Sequence, residues 1–369
     1  MSPFRIASVF LLASLVACSS VSNQNFTPSN LKISSTRVQR IALLLPLQGP
    51  LANVAQSIKQ GFFATADENG TSPRIILIDT GVGSAMQAAY SEALTQKVNI
   101  IVGPLLKSQV QSIASLQTSI PILALNYLNS DISTPSGLYQ FGLSPSDEAQ
   151  QAIQMAWNSG KRSAIIITAH SNWGAQIGKV FAQQWQALGG TVVDQLELSK
   201  NPSDITQQIR HLLQFKPPHE RRTDFDVIFL ASSPQLGRQV KPLLKFFYAG
   251  DVPVYATASI YSGVPSQHFD NDLNQIIFCA APWSLGNWIE PNLYQQLKLS
   301  LPLSFNRNSQ YYALGVDAFH IIQQLGRLQS SQQALQGTTG VLSLNTQHRI
   351  VRQLPCAQFR NGYVVPISK

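Results

Sequence analysis

Residues 221–263 read RRTDFDVIFLASSPQLGRQVKPLLKFFYAGDVPVYATASIYSG. Within them, residues 226–231 (DVIFLA) are a short apolar run rich in β-branched and aromatic side chains, which suits a strand buried on both faces. Ser232, Ser233 and Pro234 break the run, and Pro234 suits the first turn of a helix. That helix would carry Leu236, Val240, Leu243, Leu244 and Phe247 at a spacing of three to four, one buried face. Gly250 is placed to stop it, and residues 252–256 (VPVYA) start a second strand. Strand, helix and strand in so short a span demand a parallel pair with a right-handed crossover. In open α/β sheets, ligands and partners meet the protein at the carboxyl ends of such strands.

The same alternation extends outward in both directions. Upstream, residues 41–45, 74–79, 100–102 and 121–125 read as strands, each followed by a helix or a turn, which makes one doubly wound half. Ser146 is expected to cap the helix that opens the second half, with Asp147 and Glu148 in its first turn, where carboxylates favour the helix dipole. Further strands at 163–167 and 191–198 lead back to the opening stretch. Downstream come a strand at 275–280, a Trp- and Pro-rich loop at 282–291, a polar loop at 305–309 and a helix at 311–328. Residues 341–344 and 350–359 read as an antiparallel pair, and Asn361-Gly362 as a tight hairpin turn. The fold class expected is α/β, with two doubly wound, Rossmann-like lobes.

The chain has 369 residues, enough for two domains with separate cores. Hydrophobic residues make up 44% and charged residues 12%, so little of it reads as disordered. The formal net charge is +8, without Lys or Arg runs beyond pairs such as Arg221-Arg222. A mildly basic surface with no nucleic-acid partner is the reading.

At the amino terminus, Arg5 precedes an apolar core, residues 6–15, too short to span a bilayer comfortably. The core ends in Leu15-Val16-Ala17-Cys18, which resembles the bacterial lipobox. There the cysteine becomes the first mature residue and carries lipid, so residues 1–17 are expected to be a signal peptide and Cys18 the lipidation site. Acyl chains at about 0.8 kcal/mol per buried CH₂ hold such a protein on a membrane. Ser19, a residue other than aspartate, implies the outer membrane in signals of this kind. Residues 18–39 then form the lipidated cysteine and a polar tether, reaching roughly 25 Å as a coil and about 60 Å when extended.

Cys279 and Cys356 are expected to be two buried free thiols, although an oxidising compartment permits a disulfide. No zinc spacing occurs, and no cofactor is implied. Nor is there a Gly-x-Ser-x-Gly elbow, a His-Glu-x-x-His or a P-loop, so no enzyme is expected. His170, beside Ser171 at a strand end, is read as a structural or surface histidine. Asp224 and Asp226 are expected to cap the strand and pair with Arg221 or Arg222.

The order of elements, with Ser144-Pro-Ser-Asp147 leading into the second half, resembles the type I periplasmic binding-protein fold. Shorter motifs narrow this: Ile41-Ala-Leu-Leu-Leu-Pro-Leu47, Asn172-Trp-Gly174, Ile260-Tyr-Ser-Gly263, Phe278-Cys-Ala-Ala-Pro-Trp283 and Gly340-Val-Leu-Ser-Leu344. They are similar to the LppC/LpoA family of penicillin-binding protein activator lipoproteins. The resemblance implies two lobes joined by three crossings, near Gly142, Ala256 and Gly337. Lobe one then takes residues 40–142 and 256–337, and lobe two residues 143–255 and 338–369. It also implies an outer-membrane lipoprotein facing the periplasm, whose partner is a class A penicillin-binding protein that builds peptidoglycan. Well-known members carry a helical repeat domain before this fold, whereas here only the tether is expected.

Two kinds of site follow. A partner surface would draw on Arg221, Arg222, Trp283 and Trp288 as anchors. A small solute would instead sit between the lobes against Gln48, Asn126, Tyr127, Asn172, Trp173, Tyr261 and Ser262, on loops at strand ends. Turns alone also favour such residues, so both readings stay open.

Overall fold

The computed structural model describes residues 39–68, 73–81, 85–116, 118–129, 132–286, 289–330 and 333–367. Cys18 and Trp288 lie outside them.

Strand β1 (Arg40–Leu45) is fully buried from Ile41 onward, as its unbroken aliphatic run requires. Helix α1 (Ala52–Glu68) follows, burying Ala55, Ile58, Phe62 and Ala66 along one face. Then come β2 (Arg74–Asp79), α2 (Met86–Thr95), β3 (Ile100–Val102), α3 (Lys107–Ala114), β4 (Ile122–Ala124) and β5 (Leu138–Gln140). These strands form one parallel sheet in the order β2-β1-β3-β4-β5.

Helix α4 (Pro145–Asn158) opens the second wound unit. Its cap is Ser144, whose Oγ accepts from the Ser146 N–H at 3.2 Å, and not Ser146 itself. Pro145 occupies the first helical position, where its missing N–H costs nothing. The chain continues through β6 (Ser163–Thr168), α5 (Asn172–Ala187), β7 (Thr191–Glu197), α6 (Pro202–Leu212), β8 (Val227–Ala231), α7 (Pro234–Phe246) and β9 (Val254–Ala256). The opening stretch is therefore β8-α7-β9, with the two strands parallel and Ser233 capping the helix.

After β9 come α8 (Gln267–Asp270), β10 (Ile277–Cys279), α9 (Pro291–Ser300) and α10 (Pro302–Ser330). The last strands are β11 (Leu335–Gly337), β12 (Gly340–Leu344), β13 (Ile350–Gln353), β14 (Cys356–Arg360) and β15 (Tyr363–Pro366). The second sheet runs β15-β14-β10-β9-β8-β6-β7, and β11-β12-β13 form a small antiparallel sheet. Asn361 and Gly362 both have positive φ, as a tight hairpin needs.

Strand pairing corrects several expectations. Because β10 pairs with β9 and β14, residues 257–280 build on the seven-stranded sheet, and the second crossing lies near Ala281 instead of Ala256. Leu342 and Ile350 pack into the core of the first sheet, so the third crossing lies at Leu354-Pro355 instead of Gly337. Pro355 splits the expected strand 350–359 into β13 and β14, which join different sheets. The expected polar loop at 305–309 is helical, with only Asn308 outside helical geometry, so α10 is kinked there.

Cys279 and Cys356 are not free thiols. They face each other as register partners on β10 and β14 and form a disulfide, with Cα atoms 3.9 Å apart. Residues separated by 77 positions meet only because an antiparallel strand returns to the sheet. Replacing both by serine should lower the unfolding free energy by about 3 kcal/mol, since a long loop is no longer closed in the unfolded chain. Urea midpoints of the oxidised protein and the double variant are the check, and equal midpoints would refute the expectation.

Candidate functional site

Six segments bound a cavity of about 280 Å³ between the two wound units. Leu143 comes from the first crossing, Pro145 and Glu148 from α4, Trp173 from α5, and Ala280 and Ser284 from the segment after β10. Residues 258–263 follow β9, and residues 306–311 line it from α10 on either side of the Asn308 kink. The kink thus turns a stretch of α10 towards the cavity.

Each contributor is held by local chemistry. Ser171 caps α5 by accepting from the Gly174 N–H at 3.0 Å, which fixes Trp173 in the first helical turn. A Cβ on Gly174 would collide with the Ala169 carbonyl, so only glycine permits this close approach of helix to strand. Ser259 Oγ lies 2.7 Å from Thr257 Oγ1 and donates to the Ser232 carbonyl at 3.1 Å. Tyr261 packs beside Phe278 and Phe359, with ring centroids 5.8 and 6.0 Å away. Burial raises its phenol above the ordinary value, with Asp270 and Tyr294 adding to the effect.

Glu148 is the chemically distinctive group. Loss of solvation pushes its carboxyl up to about 7, against the opposing pull of Arg352 and of the Ala258 N–H, while Asp147 pushes it further up. That N–H donates to Oε2 at 3.0 Å. Behind Glu148, Arg352 of β13 is almost wholly buried and lies 3.5 Å from Asp147. Burial also raises Asp147, in spite of Arg352 and Arg349.

Of the solute-site candidates, Trp173, Tyr261 and Ser262 line the cavity, and the other four do not. Gln48 is exposed, with its Nε2 donating to Asp79 at 3.0 Å. Asn126 donates to the Leu105 carbonyl at 2.9 Å and accepts from the Tyr127 N–H. Tyr127 is buried, with its hydroxyl 3.1 Å from the Gly142 carbonyl and 3.2 Å from that of Ile350. It braces the junction, and burial raises its phenol to about 12. Asn172 is exposed at the start of α5, outside the cavity wall.

The partner-surface candidates divide differently. Trp283 is 1% exposed, donates to the Ile289 carbonyl at 2.8 Å and packs against Tyr294 and Phe305. It is a core residue and cannot serve as an anchor for another protein. Arg221 pairs with Asp251 at 2.9 Å and donates to the Tyr248 carbonyl. Arg222 bridges Asp194 at 2.6 Å and Asp224 at 2.8 Å. Asp226 instead accepts from the Arg162 and Ser163 N–H groups. His170 pairs with Glu197 at 2.8 Å on the surface. Near Arg221, Phe246 (70% exposed) and Tyr248 present aromatic area to solvent.

Sequence reasoning missed Glu148 and the α10 wall. Glu148 carried a signal, a carboxylate in a capped first turn, but that signal pointed to the helix dipole and not to a cavity. Among the described residues, no group of three or more His, Cys, Asp or Glu side chains could hold a metal ion. No described helix is long and apolar enough to cross a membrane.

Comparison with known proteins places these features. The family model "LppC putative lipoprotein" matches residues 26–362. The penicillin-binding protein activator LpoA of Haemophilus influenzae is 28% identical over 344 residues, covering 92% of this chain. This chain spans 57% of that relative's length. The solved C-domain of H. influenzae LpoA, described as a regulator of PBP1A, superposes with a TM-score of 0.75 at 26% identity. That match covers 89% of this chain and all of the domain. An ABC-transporter solute-binding protein from R. palustris, 15% identical with a TM-score of 0.61, covers 89% of this chain and 95% of its own, and shares the fold alone.

Proposed function

We propose that this chain, which belongs to the LppC family, is a lipid-anchored activator of a penicillin-binding protein. Cys18 would carry the lipid and hold the body at the outer membrane, facing the periplasm. The partner would be a class A enzyme that polymerises and cross-links peptidoglycan. The observation that supports this reading most is the match to the LpoA C-domain along that domain's whole length. The relatives are named as activators, and the reading asks for a contact surface in place of chemistry.

Activation requires that the chain bind one state of the synthase better than another. The Arg221 corner, with exposed Phe246 and Tyr248 beside it, has the aromatic and arginine character of a contact centre. Purified protein added to a class A synthase should raise glycan polymerisation about fivefold or more. Phe246→Ala should weaken the concentration dependence about tenfold at unchanged melting temperature, because a 70% exposed ring contributes little to folding. No rate change with any class A synthase would defeat the activator reading, and an unaffected Phe246→Ala would move the contact elsewhere.

A further inference from the structure

We propose that a second cavity, at the opposite end of the seven-stranded sheet, is a binding site for a phosphate monoester, either a soluble one or one borne on a lipid headgroup. This goes beyond activation and stands whether or not a synthase binds.

This cavity, of about 550 Å³, sits where parallel β9 and β10 begin and antiparallel β14 ends. The cavity beside Glu148 and Trp173 lies past the carboxyl ends of β9 and β10, and no residue lines both. Lys241, on α7, lines the second cavity while only 6% exposed. Its ammonium has no hydrogen bond and no ion pair among the described residues. That nitrogen is not fully sealed from solvent, and the cavity is the open space beside it. Burial holds the ammonium below the usual lysine range, against Asp251 and with help from Lys245. A charge that has lost solvation and gained no partner calls for an anion from outside the chain.

The rest of the wall fixes the class of that anion. Arg360, exposed at the end of β14, donates through Nε to Gln358 Oε1 at 2.8 Å. It forms no ion pair among the described residues, so the far edge of its guanidinium is unspent. Asn274 Oδ1 accepts from the Asn361 N–H at 3.0 Å, which leaves the amide nitrogen of Asn274 to donate. Asp251 is the acid on this wall among the described residues, and both its oxygens already take Arg221, at 2.9 and 3.1 Å. Donors therefore reach the cavity from three segments, and the carboxylate there is spent. A phosphate monoester brings nearly two negative charges and three acceptor oxygens. A carboxylate group brings one charge and two oxygens, too few for an ammonium, a guanidinium and an amide together. Lys241 would act as a point charge on the phosphate and Arg360 as a planar fork.

Calorimetric titration of the purified chain at low salt tests this with glycerol phosphate, glycerol and succinate. The phosphate ester should bind with a Kd of about 0.1 mM, succinate at least about tenfold more weakly, and glycerol not at all. Sedimentation with phosphatidylcholine vesicles, with and without phosphatidic acid, separates the sources. Tighter capture by phosphatidic acid than by the soluble ester assigns the phosphate to a lipid headgroup, and the reverse assigns it to a soluble molecule. Lys241→Met, which keeps the buried stem, should weaken either form of binding about tenfold or more. Arg360→Gln, at an exposed position, should weaken it about fivefold at an unchanged melting temperature. The proposal fails if the soluble ester does not bind at about 10 mM and the phosphatidic acid vesicles do not capture the chain. It fails equally if succinate binds as well as the ester, or if both variants bind like the parent.

Discussion

The Gly315→Leu variant should fail to accumulate as folded protein, and whatever folds should unfold at a far lower urea concentration than the parent. Helices α1 and α10 approach backbone to backbone at two glycines. A Cβ on Gly315 would collide with the Ile58 carbonyl and reach the Phe62 nitrogen, and a Cβ on Gly61 would collide with the Tyr312 carbonyl. Neither obstacle is a side chain that can swing aside, so the helices themselves must separate. Separation would undo the Phe62–Phe319 edge contact, with centroids 5.3 Å apart, and the 2.9 Å bond between the Tyr312 hydroxyl and Gln60. Overpacking of a core typically costs 1–3 kcal/mol, and a rigid backbone obstacle takes it to about 4 kcal/mol or more. That is a large share of the stability of an ordinary domain. Gly160→Ala is the control: its Cβ would meet nothing within 4 Å, and its positive φ alone should cost about 1 kcal/mol. Near-parental stability of Gly315→Leu would show that the two helices can part at little cost.

Asp317→Ala should destabilise the protein by about 4 kcal/mol, through lost hydrogen bonds and not through lost packing. Asp317 is fully buried on α10. Its Oδ1 accepts from the Thr338 N–H at 2.7 Å and its hydroxyl at 2.9 Å, and Oδ2 accepts from the Thr339 N–H at 2.7 Å and its hydroxyl at 2.5 Å. Desolvation pushes the carboxyl up, while these four donors favour its charged form. Alanine would leave both backbone N–H groups and the Thr339 hydroxyl buried without this partner. The Thr338 hydroxyl keeps the Ala313 carbonyl at 3.0 Å. Because these residues join β11 to β12, the same variant should lose amide exchange protection at Thr338 and Thr339 before the rest of the fold. Uniform protection loss across the chain, or a midpoint like the parent's, would show that the carboxylate does not pin this turn.

Much of this architecture was legible in the chain because its signals are local. Apolar runs with turn residues at both ends marked β1, β6 and β8, and Ser233-Pro234 marked the start of α7. The capped acidic turn at 144–148 was legible as a helix start, although the cap is Ser144, two residues before the expected Ser146. The cavity was legible only in part. Trp173, Tyr261 and Ser262 sit at strand or helix ends that fold topology brings together. Asn126 and Tyr127 share that position in sequence, yet their polar groups are consumed by Leu105, Gly142 and Ile350. Nothing in a residue's neighbours in sequence says whether its hydrogen bonds are already taken. The tryptophan at 283 failed as an anchor for a similar reason: an aromatic in a Pro-rich segment reads the same whether Tyr294 and Phe305 cover it or solvent does.

Alternating apolar runs and breaks in the sequence suffice for two parallel α/β units, since periodicity and turn chemistry act over a few residues. Which sheet receives β10, where Pro355 sends the chain, and that Cys279 meets Cys356 were settled by pairing across 77 positions. The same holds for Glu148, an ordinary helix-start carboxylate until α10 and the segment after β9 close over it and strip away its water. Long-range contacts set burial, and burial sets charge, so the reactive character of this site belongs to the folded chain alone.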